Sequence, residues 1–172
     1  VASLMENLIG VLEEESIQYE GLLELSQKKT PVIVSGDLEK LQQITDEEQE
    51  VVGRINRLEK SRTEVVADIA NVLNRDVANM KLSNLIGMLA GRPAEQALLA
   101  GVHDRLRTAV RGLQRVNEQN RELLAEALEL VNFEMGMLQA AKLAPETANY
   151  TRGAYSSGDT MGVSSRGFDA KQ

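Results

Sequence analysis

The residues best suited to chemistry are sparse in this chain and poorly spaced for it. His103 is the sole histidine and sits beside Asp104. A lone histidine next to an aspartate on a helix reads as a solvated residue rather than a catalyst or ligand. Asp46, Glu47 and Glu48 form an acidic run. Consecutive carboxylates lack the alternating spacing of a metal-binding loop, so the run reads as a solvated helix face. No glycine pattern follows a strand, which leaves a phosphate loop without its context. No nucleophile motif appears. With no cysteine in the sequence, disulfides and thiolate metal sites are excluded. The residues therefore predict no enzyme, no cofactor, no metal and no small-molecule substrate.

The aromatic residues raise a different question. The chain of 172 residues has three tyrosines, two phenylalanines and no tryptophan. Tyr150 and Tyr155 both fall in the stretch NYTRGAYSSG, inside a Gly/Ser-rich tail. Rings ordinarily stabilise cores, and here two of them lie where no core is expected. Hydrophobic residues make up 42% of the chain, enough for a core of Leu, Ile, Val and Ala on interdigitating helices.

The formal net charge is -7. A surface of that sign repels nucleic acid and anionic membrane, and no Lys/Arg run exceeds two residues. The stretch VASLMENLIGVLEEES lacks a basic region and turns acidic by Glu13, making it a poor signal peptide. No apolar run approaches the roughly 18 residues of a membrane span. A cytoplasmic protein with no nucleic-acid partner is the simplest expectation.

The elements follow from proline and periodicity. Pro31, Pro93 and Pro145 divide the chain into helical units, because proline is disfavoured in helix interiors. The first unit has an apolar face of Leu4, Leu8, Val11 or Leu12, Tyr19, Leu22 and Leu25, with Glu13 to Glu15 on the other side. Pro31 to Gly36 reads as a last apolar turn. Asp37 is a good N-cap for the second unit. Its seam alternates steps of three and four: Leu41, Ile44, Glu48, Val51, Ile55, Leu58, Arg62, Val65, Ile69 and Val72. Only Glu48 and Arg62 depart from aliphatic character, which is a coiled-coil pattern. Residues 74–92 are interrupted, with a small helix around Leu85 to Leu89 and Ser83 as its cap.

Pro93 suits the first turn of a third long helix. Its seam runs Leu99, Val102, Leu106, Ala109, Leu113, Val116, Asn120, Leu123, Ala127, Leu130, Glu134, Met137 and Ala141, with Asn120 and Glu134 the polar exceptions. At 1.5 Å per residue this helix spans about 75 Å and the second about 58 Å. The expected fold is all-α: an elongated antiparallel three-helix bundle or coiled coil, with a short connecting helix and a flexible C-terminal tail. Helices are expected at about 2–35, 37–75, 83–90 and 93–142, giving a bundle domain over 1–143. The tail, 144–172, is too rich in Gly, Ser and Thr to offset the entropy of ordering it.

Short connections favour antiparallel neighbours. Facing residues on the second and third long helices should then sum to about 168 in sequence number. That places Glu48 beside Asn120, as a polar layer able to set register. The third helix should outrun the second beyond about Val131. There a second stripe appears: Leu124, Leu128, Val131, Met135 and Leu138, joined by Phe133 and Met137. A helix end apolar on most of its circumference is either buried or awaits a partner, and methionine suits a surface that adapts to one. The first helix could cover Leu124 and Leu128. Phe133 to Leu138 read as a partner site, and the same stripe allows self-association into a homo-oligomeric coiled-coil scaffold.

Three segments in order resemble the FlgN family of flagellar type III export chaperones. They are SGDLEKLQQITDEEQEVVGRINRLEKSR (Ser35 to Arg62), VNEQNRELL (Val116 to Leu124) and PETANYTRG in the tail. The long tail after Tyr155 and the segment 74–92 depart from the family pattern. The resemblance implies a cytoplasmic chaperone that binds the helical C-terminal segment of hook–filament junction proteins. It implies that the chaperone prevents their premature assembly and delivers them to the cytoplasmic domain of a membrane export gate. It implies a cargo site toward the C-terminal part, which agrees with the surplus stripe. By motif, Asn117 and Asn120 match family asparagines, and Tyr150 matches the residue that docks on the gate. Tyr155 has no counterpart.

Overall fold

The computed structural model describes residues 2–143. The expected tail, with Tyr150 and Tyr155, lies outside them. The described residues form an all-α bundle of four helices: α1 (Ala2–Ser35), α2 (Leu38–Val72), the short α3 (Leu82–Met88) and α4 (Pro93–Leu143). Single 3-10 turns, Val77–Asn79 and Leu89–Gly91, flank α3. The chain divides into two compact units, Val1–Glu129 and Leu130–Gln172, and the boundary falls within α4.

Local sequence explains the turns. Gly36 adopts φ 68, a left-handed conformation that closes a helix at little cost only for glycine. Asp37 follows as the N-cap of α2, its side chain accepting from the Lys40 N–H at 3.0 Å. α2 stops at Val72 rather than running to Arg75. Asn74 takes φ 49, while the Asn74 N–H bonds the Asn71 carbonyl and the Arg75 N–H bonds the Ala70 carbonyl. That pair of bonds is a Schellman closure, with asparagine in place of glycine. α4 opens on Pro93, where the missing N–H is harmless, with Glu95 in the first turn and Lys142 in the last. Both charges complement the helix dipole.

α1 and α2 pair antiparallel, as Glu15 with Arg62 and Ser26 with Glu48 show. α4 runs parallel to α1, since Glu20 meets Arg105 and Ser26 meets Asn120. The main core joins Leu8 and Leu12 of α1, Ile69 of α2, Leu85 of α3 and Leu99 of α4, all at most 1% exposed. Each such side chain contributes about 1.5–3 kcal/mol on burial. A second cluster is Leu22, Ile55 and Leu113. Ile55 and Leu113 are in the register expected for α2 against α4. Gly112 permits a close approach nearby: a Cβ there would lie 3.1 Å from Leu23 Cδ2.

Three local expectations are corrected. Pro31 does not mark off a separate last turn but lies inside α1, whose span matches the expected helix of about 2–35. It removes one N–H from the helical ladder, yet the helix is held on either side of it by the buried Ser26 and Ile33. Ser83 does not cap α3; the N-cap is Lys81, without a side-chain capping bond. Glu15 is not on the outer side with Glu13 and Glu14 but is fully buried.

Candidate functional site: interior polar layers and the exposed end of α4

The first unit has two polar layers. In one, Glu48 and Asn120 both reach α1 rather than each other. Ser26 donates to Glu48 Oε1 at 3.0 Å, and Lys29 Nζ donates to Glu48 Oε2 at 2.7 Å. Asn120 Nδ2 donates to the Ser26 carbonyl at 2.8 Å, and the Thr30 hydroxyl donates to Asn120 Oδ1 at 2.7 Å. Both amide functions of the buried Asn120 are thus satisfied, as burial demands. The layer spans all three long helices, with α1 as its centre.

In the other layer Arg62 Nη1 donates to Glu15 Oε2 at 3.1 Å, while Glu15 Oε1 has no partner. Burial pushes the Glu15 carboxyl above its usual range, against the pull of Arg62 and with a push from Glu59. The Tyr19 hydroxyl donates to Glu59 Oε1 at 2.9 Å. Burial and that carboxylate raise its pKa to about 12. Sequence periodicity contained a sign of this layer. The apolar face of α1 leaps from Leu12 to Tyr19, and the missing step is Glu15 and Ser16.

These groups hold helices together through cross-helix bonds. His103 Nδ1 lies 3.4 Å from Asp104 and belongs to neither layer. Among the described residues no group of three or more His, Cys, Asp or Glu side chains is placed to hold a metal ion. No described helix is long and apolar enough to cross a membrane.

In the first unit Leu124 is half-buried, whereas Leu128 is 63% exposed. In the second, Leu130, Val131, Phe133, Met135, Met137 and Leu138 are each more than half exposed. Leu130 and Met137, assigned by spacing to the bundle seam, are therefore as open as the second stripe. Leu143 continues the series at 82% exposure. Single exposed leucines are ordinary, whereas a contiguous exposed apolar run is not. One carboxylate, Glu134, stands within it and has no hydrogen bond or ion pair among the described residues. Tyr150 lies outside the described residues.

The chain is 27% identical over 131 residues to a Bacillus subtilis (strain 168) protein described as "Uncharacterized protein YvyG", covering 76% of this chain and 78% of that protein. No solved structure matches. The profile of the family described as "FlgN protein" matches residues 4–157, which takes in all but the first two residues of α1, the other helices and all three motif-bearing segments. A four-helix chain with an uncovered apolar helix end, matched along nearly its whole length, belongs to the FlgN family of flagellar export chaperones.

Proposed function

We propose that this protein is a cytoplasmic chaperone for hook–filament junction proteins, holding the C-terminal helical segment of its cargo on the open end of α4. The carrying observation is the run Leu130 to Leu138, where six large apolar side chains are each more than half exposed within about two and a half turns of helix. An amphipathic helix laid along such a face is held by side chains at positions i, i+3, i+4 and i+7. The act of holding covers an apolar surface on the cargo as well, which prevents premature assembly and needs no nucleotide. Delivery to the cytoplasmic domain of the export gate falls to Tyr150, a ring able to fill a pocket while its hydroxyl stays hydrogen-bonded.

The test is binding of the full chain to a hook–filament junction protein with an intact C-terminus, by pull-down and calorimetry. A stable complex is expected; a folded chain that binds none of these proteins removes the proposal. Met135→Glu with Leu138→Glu should abolish the complex and leave helicity unchanged. Tyr150→Ala should leave the complex intact and reduce export. Light scattering covers the remaining alternative. A stable oligomer that occupies Val131 to Leu138 even when cargo is present would make the protein a scaffold.

A further inference from the structure

Glu134 is chemically out of place. Side chains three and four positions apart are neighbours on a helix. For Glu134 those neighbours are Leu130, Val131, Met137 and Leu138, all exposed and apolar. A helix that covers this patch also covers the carboxylate. Desolvating an unpaired charge is far more costly than leaving it in water.

The rest of the chain shows how covered carboxylates are matched. Glu48 faces Lys29 at 2.7 Å, and Glu15 faces Arg62 at 3.1 Å. In both cases the cation comes from another helix. Glu134 falls on the same three-and-four ladder of α4 as Asn120, but no described residue offers it a cation. We propose that the helix covering the end of α4 carries a lysine or arginine in the middle of its own apolar face, placed to pair with Glu134. This rests on the export-chaperone reading and specifies the partner's chemistry.

A second copy of this chain fits poorly. Packed antiparallel about Glu134, it sets carboxylate against carboxylate. The one cation on Leu130 to Leu143 is Lys142. It continues the stripe of Met135 and Leu138, seven and four residues before it, so it meets Glu134 only in an antiparallel copy staggered about Leu138, a register that sets Leu130 and Val131 opposite positions past Leu143, the last residue of α4. The fitting occupant is a different chain with a basic residue in its stripe. Glu134 then acts as a selector. It leaves a basic-striped helix bound and makes a purely apolar or acidic one unfavourable.

The experiment is calorimetry of the full chain with the C-terminal segments of the hook–filament junction proteins from the same organism. Wild type, Glu134→Gln and Glu134→Lys are compared, with circular dichroism confirming unchanged helicity. Glu134→Gln should weaken binding several-fold, and Glu134→Lys by at least about tenfold. Replacing one Lys or Arg in the segment's apolar face by Glu should restore binding to Glu134→Lys. Binding to Glu134→Lys within about twofold of wild type overturns the inference and leaves the export reading standing. Failure of every segment to bind wild type defeats that reading and the inference with it.

Discussion

Two stretches of α4 are built from the same kinds of residue and meet opposite fates. Leu99, Val102, Leu106, Ala109 and Leu113 are all buried. Val131, Met135 and Leu138 repeat the same steps of four and three, yet each is more than half exposed. Periodicity says where an apolar face points, and only the presence of neighbouring helices says whether it is covered. The early stretch has α1, α2 and α3 against it. The late stretch keeps the residue chemistry of a core while open to solvent. Its stickiness is thus a retained property of the helix, suited to a partner that supplies the missing neighbour.

Substitution should separate the two stretches sharply. The largest effect is expected at Leu99, which is 0% exposed. Leu99→Ala should cost about 3–4 kcal/mol in denaturant unfolding, whereas Leu138→Ala should stay within about 0.5 kcal/mol. Equal costs would mean that the end of α4 is covered in solution. Arg62→Ala comes next, at about 3 kcal/mol, because it strands the buried Glu15. The double change Glu15→Leu with Arg62→Leu should recover most of that loss, as an apolar pair can replace a buried ionic one. Asn120→Ala should cost about 1–2 kcal/mol, leaving the Ser26 carbonyl without its amide donor. Stability unchanged in that variant would remove the polar layer from the list of forces that hold the bundle.

The smallest expected effect is a pH slope. The folded state holds the Glu15 proton to higher pH than the unfolded chain, whose carboxyl has the ordinary value of 4.5. The penalty is absent below that pH. It grows as pH rises through the raised folded value, so stability from this group falls with rising pH. Glu20, whose carboxyl is held low by its hydrogen bonds to Arg105, acts in the opposite sense and loses its contribution as pH falls. Melting temperatures of wild type and Glu15→Gln across this range should diverge, with the variant lacking the decline. Parallel curves would mean that Glu15 is ionised at no cost.

Much of the fold was legible because long helices with a three-and-four ladder leave little ambiguity. The seam of α2, the Asp37 cap, the start at Pro93 and the register pairing Ile55 with Leu113 all follow from spacing. The interior of α1 was harder. The expected helix over about 2–35 had to carry Pro31, and packing around Ser26 and Ile33 outweighs a single lost N–H. Glu15 was misplaced because a charged residue inside a run of acids looks solvated, and only a partner 47 positions away, Arg62, makes its burial tolerable. The polar layer was half legible. Glu48 and Asn120 fall at one level, but the α1 side chains that join them, Ser26, Lys29 and Thr30, look like ordinary surface polar residues in sequence. At the end of α4 the apolar stripe could be read directly. Whether its residues are exposed could not, since exposure depends on neighbours that spacing does not reveal.

The turn at Gly36 and Asp37 has a kinetic consequence. It joins α1 to α2 with almost no intervening chain, so their contacts close short loops and can form early. Asn120, by contrast, meets Ser26 across 94 positions of sequence. During synthesis α1 and α2 leave the ribosome before α4, so their contacts can form before Asn120 is available to the Ser26 carbonyl. The arrival of Asn120 then works as a latch, closing a bundle that is two-thirds assembled. The apolar end of α4 is the last described segment to leave the ribosome, so it appears only after the rest of the bundle can be in place.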